Sequence, residues 1–182
     1  MSTVPVTDCG KPVSKLLLVI DMQNDFVTGS LGSAEARAII PAMVKRLSTA
    51  DCPVWFTMDT HGKDYMDDPE ARHLPVPHCE KGTNGWKIIP ELESFAAKAP
   101  RIEKPTFGSE ELAKRIQAMP DLKEIEMMGV CTDICVVSNA LLLRAVRPDL
   151  YITVDKNLCA GSSPANHQAA LAVMQSCHID VV

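Results

Sequence analysis

Met128 to Asn139 reads M-G-V-C-T-D-I-C-V-V-S-N, and the fold turns on how this stretch is read. Leu122 to Met128, just before it, has the character of a strand, whereas Val136 to Val146 carries apolar residues at helical spacing. Gly129 to Asp133 is then a sharp turn from strand to helix. That places Cys135 in the helix's first turn, where backbone N–H groups lack intrahelical partners and the helix end is partly positive, so a thiolate is favoured over a thiol. A buried cysteine acting as a small hydrophobe fits the same position, and the turn alone does not choose between the two.

Outward from this turn the chain alternates strands and helices. Leu16 to Ile20 is a continuous apolar run ending at Asp21, as suits a strand covered on both faces of a parallel sheet. Ser33 is placed to cap one helix from Ala34 to Leu47, with Ala36, Ile39, Ile40, Met43, Val44 and Leu47 forming its apolar stripe. Cys52 to Met58 reads as a second strand. Asp59 to Lys87, rich in His, Asp, Pro and Gly, reads as a long ordered excursion over the sheet. A short helix over Pro90 to Ala97, a third strand at Arg101 to Glu103 and a helix from Ser109 to Met119 lead to the central turn. Beyond it come a strand at Leu150 to Val154, a helix opened by Ser163-Pro164 and ending near Ser176, and a closing strand at Ile179 to Val182. The pattern predicts an α/β fold: a doubly wound six-stranded parallel sheet with helices on both faces. Such sheets bind ligands beyond the carboxyl ends of their strands, where Asp21, Asp59, Lys104 and the Gly129 to Cys135 turn all fall.

Composition narrows the classes. With 182 residues, 46% of them hydrophobic and 23% charged, the chain fits a single domain over residues 1–182, residues 1–14 forming an extended polar segment. A net charge of -5 without a basic run argues against nucleic acid as a partner. No secretory leader and no apolar run of spanning length are seen, so the expectation is a cytoplasmic protein with no membrane partner. The seven cysteines are odd in number and match no disulfide framework, which favours reduced thiols.

A cysteine nucleophile needs a base, a cation or dipole, and donors for the oxyanion formed on attack. Asp21, Lys104 and the turn can supply them, although an Asp21 to Lys104 salt bridge would also serve structure alone. Cys131 and Cys135 could instead be a redox pair, but their spacing is C-x-x-x-C and that reading leaves Asp21 and Lys104 without a role. A noncatalytic binding protein on the same fold is the other alternative.

Three motifs carry a resemblance. D-M-Q-N-D-F at Asp21 to Phe26, E-K-P at Glu103 to Pro105 and G-V-C-T-D-I-C at Gly129 to Cys135 resemble, in order and spacing, the isochorismatase-like cysteine hydrolases, over Lys15 to Val182. The superfamily includes nicotinamidases, N-carbamoylsarcosine amidases, ureidoacrylate amidohydrolases and isochorismatases. The resemblance implies Cys135 as nucleophile, Asp21 as acid and base, Lys104 as positive partner, and a cis peptide before Cys131 with an oxyanion hole from the N–H groups of Cys131 and Cys135. M-D-T-H at Met58 to His61, with P-H-C at Pro77 to Cys79 and G-T-N-G-W at Gly82 to Trp86, is similar to the nicotinamidase metal loop. It implies a divalent ion, zinc by its donor set, on Asp59, His61 and His78, with Glu70 as a further ligand. The same residues could order the loop by hydrogen bonds alone.

One departure concerns the substrate. Nicotinamidases of this type commonly carry an aromatic residue shortly before the second metal histidine, whereas H-L-P-V-P at His73 to Pro77 leaves Leu74 or Val76 there. Phe26, Leu74 and Trp86 are the expected substrate-binding residues. Isochorismatases typically lack the cysteine, so Cys135 points away from vinyl ether cleavage. The implied activity is hydrolysis of a small amide through a thioester, with nicotinamide first and N-carbamoyl amides or ureidoacrylate second, by a homo-oligomeric enzyme.

Overall fold

Leu16 to Ile20 are wholly buried in strand β1 (Lys15–Ile20), at the middle of the sheet in the computed structural model, which describes residues 13–182. Most of the extended N-terminal segment expected over residues 1–14 therefore lies outside the described residues. The other strands are β2 (Val54–Asp59), β3 (Arg101–Lys104), β4 (Glu124–Val130), β5 (Tyr151–Ala160) and β6 (Asp180–Val181). They pair in the order β3-β2-β1-β4-β5-β6, every pair parallel. Parallel neighbours require crossover connections, and here helices supply them. Among the described residues none of these helices is long and apolar enough to cross a membrane.

The strand order reverses between β1 and β4. Connections therefore leave these two strands in opposite directions, opening a crevice at their carboxyl ends. Asp21 follows β1 and Cys131 follows β4, so the topology delivers both to that crevice. Gly129 permits the close approach of the two strands: it pairs with Ile20 at a φ of +131°, and a Cβ there would lie 2.1 Å from the Ile20 carbonyl oxygen.

The single helix expected over 34–47 is two, α2 (Ala34–Ala38) and α3 (Ile40–Ser48), preceded by a short α1 (Asn24–Val27). Pro41 accounts for the break, because it has no N–H to donate and its ring would strike the carbonyl four residues back; it instead opens α3. Ser33 caps α2 as its sequence position implied, accepting from the Ala36 N–H at 3.0 Å. Then follow α4 (Pro90–Ala96), α5 (Glu110–Gln117), α6 (Val137–Val146) and α7 (Pro164–Ser176), with Ser109 and Ser163 capping α5 and α7. Helices α5, α6 and α7 pack in one row and α3 packs beside α4, two layers that right-handed crossovers place on opposite faces once the strand order reverses.

Two departures from the expected elements shape the crevice. Strand β5 runs six residues past Val154: Met127 pairs with Val154 but Gly129 with Cys159, so an irregularity carrying Asp155, Lys156 and Asn157 is accommodated and the strand resumes. Its extension brings Ala160, Gly161 and Ser162 to the crevice. Between β4 and α6, Thr132–Val136 forms a π-helical turn instead of the first turn of an α-helix, the Val136 N–H reaching back five residues to the Cys131 carbonyl at 3.0 Å.

Candidate active site

Asp21 is fully buried and leaves β1 with a φ of +48°, a left-handed conformation that turns its side chain out of the strand's alternation. Its Oδ1 accepts the Thr57 hydroxyl at 2.7 Å, and its Oδ2 lies 2.7 Å from Lys104 Nζ. Lys104, the last residue of β3, is also buried. Its ammonium donates to Asp59 Oδ1 at 2.9 Å, the Thr106 carbonyl at 3.1 Å and Cys135 Sγ at 3.4 Å. Asp21 Oδ2 meets the same ammonium as a close ion pair. Three positions widely separated in the chain thus share one buried ammonium.

The electrostatics of this cluster run against the thiolate expectation. Burial drives the Cys135 thiol well above its ordinary range, the Asp21 carboxylate pushes the same way, and Lys104 opposes them. That direction favours the neutral thiol over the thiolate. The favourable helix terminus invoked from sequence is outweighed because Cys135 is 4% exposed and sits in the π turn beside a carboxylate. Burial raises the Asp21 carboxyl as well, with Lys104 drawing it back. Burial alone would lower Lys104, but Asp21, Cys135 and Asp59 hold it firmly protonated.

Beside this cluster, Asp59, His61 and His78 bring one ligand atom each within 4.8 Å of one another. Asp59 Oδ2 is 3.0 Å from His61 Nε2 and 3.3 Å from His78 Nε2. Ligands bound to one tetrahedral zinc lie about 3.3 Å apart, so the donor set fits such an ion without large rearrangement. His78 Nδ1 faces the Val76 carbonyl at 2.9 Å, so on binding a metal the ring can keep its proton on Nδ1 and give up the Nε2 proton it otherwise shares with Asp59. Glu70 Oε1 stands 3.7 Å from His78 Nε2, and burial followed by the Asp59 charge raises its carboxyl. Burial would raise Asp59 too, but hydrogen bonds from His61 and His78 and the Lys104 charge hold it well below the usual carboxylate range.

A cavity of about 260 Å³ opens between the two groups. Asp59, Glu70, His78, Cys131 and Cys135 line it together with Ser33 and Ser162, and Phe26, Leu31, Leu74, Phe107 and Ile134 contribute apolar wall. Of the residues expected to meet substrate, Phe26 and Leu74 line it. Trp86 does not: its indole N–H donates to Thr60 Oγ1 at 2.9 Å and its carbonyl accepts from Gln23, so it braces the loop. Asp21 and Lys104 lie behind Cys135 and are absent from the wall. The Val130–Cys131 peptide is cis, and Cys131 lies in the lining. Burial lifts the Cys131 thiol to about 12.

The isochorismatase domain model matches residues 15–182. This chain belongs to the isochorismatase family. It is 31% identical over 175 residues to the uncharacterized isochorismatase family protein PncA of Bacillus subtilis, covering 88% of this chain and 93% of that protein. A pyrazinamidase/nicotinamidase structure from Streptococcus mutans matches with a TM-score of 0.82 at 28% identity, over 93% of this chain and all of that one. A pyrazinamidase of Pyrococcus horikoshii in complex with zinc matches with a TM-score of 0.76 at 27% identity, over 93% and 98% of the two chains.

Several residues of this isochorismatase-family site escape a reading by motif. Gln23 is fully buried, donating to the Asp59 and Trp86 carbonyls at 2.8 Å each and accepting the Asp59 N–H at 2.7 Å. It therefore fixes the backbone that carries a candidate metal ligand. Asp25 accepts the Cys79 N–H at 2.7 Å next to His78, and a Cβ on Gly85 would lie 2.0 Å from its carboxylate. The glutamine and second aspartate of D-M-Q-N-D-F are the signal that could have found them, as polar letters beside a strand end. Thr57, a β2 residue, gives none.

Proposed function

We propose that this protein is a cysteine amidohydrolase that converts nicotinamide to nicotinate and ammonia. The observation that supports the reading is the buried Asp21, Lys104 and Cys135 cluster adjoining the Asp59, His61 and His78 group, with Cys135, Asp59 and His78 lining one cavity. A neutral thiol beside a carboxylate is a competent starting state: Asp21 takes the Cys135 proton as Sγ attacks the amide carbon. Lys104 stays charged throughout and steadies first the carboxylate, then the sulfur. The N–H groups of Cys131 and Cys135 receive the oxyanion. On collapse Asp21 returns the proton to the departing nitrogen, ammonia leaves and a thioester forms. Asp21 next removes a proton from water as it attacks the thioester, and nicotinate departs with the thiol restored.

Asp59, His61 and His78 would hold a zinc ion, with Glu70 as the additional donor. Zinc so held supplies a Lewis-acidic anchor for a ring nitrogen. The wall chemistry supports a neutral ring amide over a carbamoyl acid. Among the described residues lining the cavity there is no lysine or arginine to hold a substrate carboxylate. Phe26, Leu74 and Phe107 offer flat or apolar surface to a pyridine. We place the reaction in the cytoplasm, where a reducing environment keeps such a thiol available.

Metal analysis of the purified protein, followed by ammonia release from nicotinamide, pyrazinamide, N-carbamoylsarcosine and ureidoacrylate, tests this reading. Stoichiometric zinc with nicotinamide or pyrazinamide turnover is expected. Activity confined to the carbamoyl substrates would overturn the substrate, and full nicotinamide turnover without metal would overturn the zinc site.

A further inference from the structure

Asn139 is fully buried one helical turn after Cys135, in the interior of a helix, where asparagine is a poor choice on propensity. Its amide is fully engaged. Nδ2 donates to the Cys135 carbonyl at 2.8 Å and to the Phe107 carbonyl at 3.0 Å, while Oδ1 accepts the Ser109 N–H at 2.9 Å. One side chain therefore ties the turn carrying the thiol to the connection between β3 and α5. That connection is also held at Thr106, whose carbonyl accepts from Lys104. Phe107, between these fixed points, lines the cavity yet is 41% exposed, so its placement depends on its backbone more than on packing around the ring.

We propose that Asn139 is a positioning residue: it locks the Cys135 turn and the Phe107 wall into one register, setting both the approach of the thiol to Lys104 and the width of the substrate site. The chemistry of the amide explains the choice. Two donors and an acceptor on one planar group satisfy three backbone atoms at once, which no hydroxyl or apolar side chain does. A leucine of similar size would remove all three of these bonds, from the Cys135 and Phe107 carbonyls and from the Ser109 N–H. A threonine hydroxyl can return to the carbonyl four residues back, preserving the Cys135 bond while releasing Phe107 and Ser109.

The inference rests on the proposed amidohydrolase reading for its kinetic arm, but its chemical arm does not. Asn139→Leu and Asn139→Thr are compared with wild type for the rate of iodoacetamide alkylation of Cys135 in the substrate-free protein, and for kcat and KM. Asn139→Leu should change the alkylation rate about tenfold and lower kcat/KM by about 10-fold to 100-fold, the size of effect expected from a small displacement of a reacting group. Asn139→Thr should alkylate within about twofold of wild type but show KM raised about fivefold with kcat little changed. Asparagine serving the core alone would lower stability and move neither readout. Alkylation and KM both within about twofold of wild type in folded Asn139→Thr and Asn139→Leu would overturn the proposal, and if the leucine variant does not fold, an unchanged KM in the threonine variant overturns it. A wild type inert toward nicotinamide would refute the substrate reading instead, with the alkylation comparison still deciding the role of Asn139.

Discussion

Gly129→Ala is the substitution that most sharply tests how β1 and β4 create the crevice. The new Cβ would sit 2.1 Å from the Ile20 carbonyl oxygen and 2.8 Å from the Ile20 nitrogen, both backbone atoms that cannot rotate away. Carbon and oxygen meet comfortably at about 3.3 Å, so the strands must part locally by about 1 Å. Placing a side chain at a φ of +131° adds about 1–3 kcal/mol of conformational strain. Losing two ladder hydrogen bonds as the strands part adds about 0.5–1.5 kcal/mol each. Together these give about 2–6 kcal/mol, a large share of the 5–15 kcal/mol that typically holds a domain of this kind. Urea unfolding of Gly129→Ala beside Gly82→Ala separates the two causes, because Gly82 also has positive φ, +89°, but nothing lies within 4 Å of where its Cβ would stand. Gly82→Ala should cost only about 1–2 kcal/mol. A Gly129→Ala protein destabilised by less than about 1 kcal/mol, or by no more than Gly82→Ala, would refute the claim that close strand approach requires this glycine.

Cys135→Ala should abolish ammonia release while leaving the unfolding midpoint near that of wild type, and measurable turnover in it would remove the nucleophile assignment. Lys104→Met should destabilise the fold by about 3–5 kcal/mol at neutral pH, since it strands the Asp21 and Asp59 carboxylates in the interior. The loss should shrink toward acid pH, where Asp21, already raised by burial, takes up a proton; a pH-independent loss would contradict the pairing. Arg46 grips Glu126 with two hydrogen bonds, at 2.6 and 2.7 Å, and thereby holds its carboxyl below the usual value. A depressed carboxylate contributes stability above its unfolded pKa and loses it as pH falls through the folded one. Glu126→Gln should therefore cost about 1 kcal/mol at neutral pH, after allowing for solvent screening, and nothing in acid; an equal cost at both ends would count against the ion pair. His78→Ala should lose bound zinc and the zinc-dependent rise in melting temperature, as measured by calorimetry with and without added metal; retained stoichiometric zinc would exclude His78 as a ligand.

What the chain determines locally was legible in its letters. The run Leu16 to Ile20, the serine caps and the alternation of strands with helices follow from burial pattern and backbone hydrogen-bond chemistry, which act within a few residues, and they sufficed for a six-stranded parallel α/β sheet. The residues at strand ends could be picked out for the same reason: charged or reactive groups that terminate apolar strands are costly unless they meet partners. Tertiary structure decided what those partners are. The break at Pro41 was readable and was masked by a continuous apolar stripe, whereas the resumption of β5 beyond Asp155 to Asn157 depends on pairing with β4 and has no local signal. The protonation of Cys135 depends on burial and on a carboxylate 114 positions away in sequence, so a helix-terminus argument could not fix its sign. Trp86 braces its loop instead of lining the cavity, its indole N–H held by Thr60 and its backbone carbonyl by Gln23. Asn139 is the plainest case: one polar letter among apolar ones carries no local signal of its role, and only the folded chain shows three backbone groups converging on it.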